Sequence, residues 1–102
     1  MEAAELSEME KAILMRLFDK CGFSTKCHIP EEAFLRGLLR EKMGKEARKE
    51  IKKSFRKLIN KGYIGVKKTG RSRETYSLTR RGVRVVKEIL RELERKLYES
   101  FV

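Results

Sequence analysis

Residues 58–82 read LINKGYIGVKKTGRSRETYSLTRRG. Gly62 carries no Cβ to oppose a left-handed conformation, which suits the residue that follows a helix C-terminus. The runs YIGVKK and ETYSL then alternate apolar and polar residues with the period of a strand. Ile64 and Val66 fall on one face of the first run, Tyr76 and Leu78 on one face of the second, and TGRSR joins them. The stretch therefore predicts the end of one helix, a two-stranded hairpin and the start of another helix, which the Thr79 hydroxyl can cap.

Working outward, residues 45–61 place Ala47, Ile51, Phe55, Leu58 and Ile59 on one helical face, at spacings of four, four, three and one. Before them, Pro30 opens a helix, because its fixed φ suits a first turn and Glu31 and Glu32 complement the helix dipole. Ala33, Phe34, Leu38 and Leu39 are its buried face, and Met43 and Gly44 end it. At the N-terminal side, Leu6, Met9, Ile13 and Leu17, with Leu14 and Phe18 alongside, predict a helix over residues 6–20 that stops at Gly22. The segment CGFSTKCHI lacks a helical period and reads as a loop with a short strand at 26–29. A last helix runs from 80 to about 100, and no linker or repeat interrupts a single domain spanning 1–102.

The net charge of +11 is localised. Residues 45–82 hold 14 Lys or Arg against 3 acids, a balance of +11, and the other 12 basic and 12 acidic residues cancel. Interspersed charges of both signs would only solvate a surface. An excess confined to one third of the chain is the footprint of a polyanion-binding face.

The order helix, helix, helix, strand, strand, helix, together with LINKGYIGVKK followed by YSLTRRG, resembles winged helix-turn-helix transcriptional regulators of the MarR and PadR types. The likeness covers residues 45–90 well and residues 1–44 in outline. It implies a mainly α fold with a small β-hairpin wing, and double-stranded DNA as the partner. MarR-type chains are usually longer, with extra helices enclosing a pocket for small effectors, and this chain has little material for one.

The residues point to the same site. Opposite the apolar stripe of 45–61 lie Lys49, Lys53, Arg56 and Asn60, flanked by Lys52 and Lys57. A helix with this face fits the major groove of B-DNA, and Arg48, Lys49, Lys52 and Lys53 in its first part would lead the contacts, with Lys45 also among the binding residues. Arg56 is suited to guanine and Asn60 to adenine, but lysine dominates, and lysine is chiefly a point charge for phosphate. On the hairpin, Lys67, Lys68, Arg71 and Arg73 would follow the backbone or enter a narrow minor groove. Arg80 and Arg81 oppose the dipole of the last helix in its first turn, a cost that a nearby phosphate would offset; the alternative is that an exposed helix end simply tolerates them.

In the last helix Val83, Val86, Leu90, Leu93 and Leu97 are spaced three, four, three and four, the seam of a coiled coil, and Phe101 extends the apolar surface. Residues 80–101 are thus expected to pair two copies into a homodimer. The alternative is that the stripe folds onto the chain's own first helix as core.

Cys21, Cys27 and His28 make a poor tetrahedral set, so no metal or other cofactor is expected. Two free, structural thiols are the expectation; a disulfide is the alternative if the source is a hyperthermophilic archaeon, as the 40% charged residues, absent Gln and single Asn suggest. Pairs such as Glu88 with Arg91 and Glu92 with Lys96 read as surface ion pairs, and nothing suggests an enzyme. The acidic N-terminus and the lack of an apolar run long enough to span a bilayer predict a cytoplasmic protein with no membrane partner. The function expected is a homodimeric, sequence-specific regulator of transcription; the alternatives are a nonspecific, chromatin-like DNA binder, or a winged-helix module for protein or RNA contact.

Overall fold

The computed structural model describes residues 2–33, 45–70 and 73–101. After a 3-10 turn at Glu2–Glu5 come helix α1 (Glu8–Cys21), strand β1 (Ile29–Pro30), helical residues 31–33 (α2), helix α3 (Lys45–Asn60), strands β2 (Ile64–Thr69) and β3 (Arg73–Leu78), and helix α4 (Arg80–Ser100). The chain is mainly helical, with one antiparallel sheet in the order β1-β3-β2. Among the described residues no helix is long and apolar enough to cross a membrane.

Helix α1 begins at a reciprocal cap. The Ser7 hydroxyl accepts from the Glu10 N–H at 3.1 Å and the Glu10 carboxylate accepts from the Ser7 N–H at 3.2 Å. Gly22, at φ +62°, ends the helix by donating its N–H to the Phe18 carbonyl. Cys21 and Cys27 are not free thiols. They form a disulfide that closes the loop leaving α1, which corrects the expectation.

The first strand also departs from expectation. It is Ile29 and Pro30, not 26–29, and Ile29 pairs with Tyr76 and Pro30 with Thr75. Pro30 belongs to this strand instead of opening the helix that follows; β1 lies at the sheet edge, where a residue without an N–H is tolerated. Ala33 is half-buried, while Phe34, Leu38, Leu39, Met43 and Gly44 lie outside the described residues.

Helix α3 buries Ile51, Phe55 and Leu58, with Ala47 and Ile59 partly covered, as the spacing requires. It closes in a Schellman motif: Gly62, at φ +82°, donates to the Ile59 carbonyl and Tyr63 to the Leu58 carbonyl, each at 3.0 Å. The β2–β3 register pairs Ile64 with Leu78 and Val66 with Tyr76, and ladder pairing continues to Thr69 opposite Arg73, so the turn is shorter than TGRSR. Phe55 meets Tyr76 edge to face at 4.5 Å and fastens α3 to the sheet.

Thr79 caps α4 as expected, accepting from the Gly82 N–H at 3.0 Å. Its hydroxyl also donates to the Gly62 carbonyl, its N–H to the Tyr63 carbonyl, and Arg81 Nη1 to the Lys61 carbonyl. Three consecutive carbonyls at the exit of α3 are thus taken up by the β3–α4 junction. Gly82 passes so close to Tyr63 that a Cβ would overlap the carbonyl oxygen.

The first half of the last helix corrects the dimer seam. Val86 is fully buried with Val85 and Ile89 against Ile13, Leu14 and Leu17 of α1, and Val83 and Leu90 pack against that core. This part of the stripe is the chain's own core. Leu93, Leu97 and Phe101 remain exposed. The acids nearby choose other partners than expected: Glu88 accepts from the Ala3 N–H at 3.0 Å, and Glu92 pairs with Arg95 at 2.9 Å.

Candidate nucleic-acid interface

The amphipathic division of α3 places Lys49, Lys52, Lys53, Arg56, Lys57 and Asn60 together on the exposed side, lining one shallow depression. Arg48, one residue before Lys49, is exposed as well, and Lys45 is the first residue of the helix. Ile51, Phe55 and Leu58 on the reverse fix the rotation of α3, so burial of the stripe is what turns the cations outward. Among the described residues no carboxylate pairs with Lys49, Lys52, Lys53, Arg56 or Lys57. At 16 residues α3 is about 24 Å long.

The hairpin leaves directly from the end of α3 and reaches about 20 Å over the six residues of β2. Its register divides the cations expected at the tip. Lys67 lies opposite Thr75, next to Arg73; Lys68 lies on the other face, opposite Glu74. Glu74 offsets part of the charge on that second face and accepts the Tyr76 hydroxyl hydrogen at 2.9 Å. Burial, then this bond, pushes the Tyr76 phenol up, so it stays a neutral donor at physiological pH. Lys67, Lys68 and Arg73 are exposed, and Arg71 lies outside the described residues.

Two cations of the basic stretch serve the chain itself. Lys61 Nζ reaches the buried Glu10 carboxylate at 3.0 Å and joins the end of α3 to the start of α1. Burial raises the Glu10 carboxyl, but hydrogen bonds from Lys61 and Ser7 outweigh it and hold the group below its usual range. Arg81 pairs with Glu2 at 3.2 Å, holds the Lys61 carbonyl at 3.1 Å and lies 5.1 Å from the centre of the Tyr63 ring, while its side chain stays half-exposed. Arg80 beside it is exposed. The run of like residues in the sequence gives no signal of this division, because it depends on Glu2 and Glu10, far away in the chain. Among the described residues no three His, Cys, Asp or Glu side chains group to hold a metal ion.

No protein-family model matches the chain, and no curated protein is similar to it.

Proposed function

We propose that this chain is a double-stranded DNA-binding protein of the winged-helix type that regulates transcription, with α3 in the major groove and the β2–β3 hairpin against the backbone or the neighbouring minor groove. The observation that carries the reading is the outward face of α3, where five cations stand together without a carboxylate partner among the described residues. Phosphates would supply the missing counter-charge, and Arg56 and Asn60 have the donor geometry to read purine edges.

Fluorescence anisotropy with the promoter upstream of the chain's own gene and with unrelated duplexes, titrated across salt, tests it. Five phosphate contacts, from Arg48 and the four lysines of the outward face of α3, would give a slope of about −4.5 in log K against log salt. Lys49→Glu with Lys53→Glu should cut affinity by roughly 100-fold or more at low salt while leaving the melting temperature unchanged. Binding that ignores salt, or survives the charge reversal, would remove α3 from the interface.

A second reading, an architectural binder without sequence preference, is favoured by the excess of lysine over arginine along this face. Equal affinity for promoter and unrelated duplex would select it; a regulator discriminates by ~10³ or more.

A further inference from the structure

Outside residues 45–82 the charges cancel in number, but α4 separates them in space. Arg80, Arg84, Lys87 and Arg91 are spaced four, three and four, which sets them in one row along one side of the helix, and all four are exposed. Val85, Val86 and Ile89, which bury α4 in the core, lie on the opposite side. The acids of the same turns are engaged elsewhere: Glu88 accepts from the Ala3 N–H, and Glu92 holds Arg95. Among the described residues no carboxylate pairs with any of the four cations. Glu94 follows the row and ends it, so the row is about 16 Å long.

Its middle member is supported by an aromatic ring. Lys87 Nζ stands 5.3 Å from the centre of the Phe23 ring, and Phe23, in the loop that the Cys21–Cys27 disulfide closes, rests on Phe18 with ring centres 4.8 Å apart. Like charges at these helical spacings repel one another, so the row is relieved by a partner that brings anions along a line. A nucleic-acid backbone does so. Three of the four cations are arginine, whose guanidinium meets a phosphate through two parallel hydrogen bonds. A protein partner suits the row less well, because the centre of a protein interface is poor in charge.

We propose that the outward side of α4 is a second phosphate-backbone site, where Arg84, Lys87 and Arg91, with Arg80 at their head, hold a DNA duplex other than the one on α3. Helices α3 and α4 each turn a buried face to the shared core and pack on α1, with little packing on each other, so their outward faces are separate surfaces. Duplex DNA is stiff over about 50 nm and does not bend from one face to the other around so small a body. The chain thereby bridges two duplexes. That bridge rests on the function proposed above for α3, whereas the site on α4 rests on its own row of cations.

Capture of a labelled free duplex by a duplex fixed to beads tests it, beside the anisotropy of a single duplex. The wild-type chain should carry the label onto the beads. Arg84→Gln with Lys87→Gln and Arg91→Gln should cut capture by roughly tenfold or more, with single-duplex affinity, which α3 dominates, held within about threefold. All three positions are exposed, so this variant should melt with the wild type. In the Lys49→Glu, Lys53→Glu chain the weak binding left over should show a salt slope of about −3 and vanish when the three glutamines are added. Capture that survives the glutamines, or a wild type that binds one duplex and captures no second, would overturn the site on α4. Glutamines that weaken single-duplex binding as much as capture would put both faces on one duplex and overturn the bridge. Duplex binding lost with the glutamines but kept in the α3 reversal would leave the α4 site standing and sink the α3 reading alone; no duplex binding at all would sink both.

Discussion

Gly82 sits where α4 crosses the Tyr63 carbonyl with no room for a side chain. In an ordinary helix, replacing Gly by Ala stabilises by about 0.5–1 kcal/mol, so the sign of the effect is diagnostic here. Gly82→Ala should instead cost about 1–3 kcal/mol by overpacking, seen as a melting temperature lower by several degrees. An unchanged or raised value would mean that α4 can shift away from Tyr63. A second residue makes a pH-dependent contribution. Glu10 titrates below its usual range in the folded chain, so its stabilisation is complete above about 4.3, the ordinary Glu value, and is lost as pH falls through the lower folded value. Urea midpoints of the wild type and Glu10→Gln should therefore differ at neutral pH and converge in acid; a constant gap would assign the effect to something other than ionisation. The carboxylate's partner is not legible in the sequence. Lys61 reads as one more cation in a basic run, and only its 3.0 Å distance from Glu10 sets it apart.

At the scale of elements, legibility follows how local the cause is. Helix α3 could be read because both its faces are written in one 16-residue stretch, apolar at helical spacing on one side and basic on the other. The hairpin could be read for the same reason, with period-two alternation in both arms. Strand β1 could not. It is two residues long, and it is a strand only because Tyr76 and Thr75, more than forty positions later, are there to pair with it. The seam of α4 was ambiguous in principle, since a heptad-like stripe fits a partner helix from any chain; α1 supplies that partner for the first half. The Cys21–Cys27 loop is likewise a matter of placement, with Cα atoms 5.6 Å apart. Closing so short a loop restrains the unfolded chain by about 2 kcal/mol in the loop-entropy account. Reduction should lower the melting temperature by several degrees and loosen the approach to β1. An identical melt under reducing conditions would show that α1 and β1 hold that loop without the bond.

Across the whole molecule, the separation of charge was the most legible property of all, because it needs only a count along the chain: the excess of +11 lies within residues 45–82. What the count could not give is which of these cations also hold the chain together: Lys61 and Arg81 join α3, α1 and α4. Those joints bear on how the molecule opens. The carbonyls of Lys61, Gly62 and Tyr63 are all held by residues 79–81, so the basic helix and the hairpin meet at a knot with no slack. In hydrogen-exchange terms, the Thr79 and Gly82 amides should be among the last of the protein to let go. They should exchange only through global unfolding, with a dependence on denaturant as steep as that of the full transition. A shallow dependence would locate a hinge there instead. If the knot holds, the angle between helix and hairpin is a fixed property of the folded chain, and whatever surface they meet must conform to it.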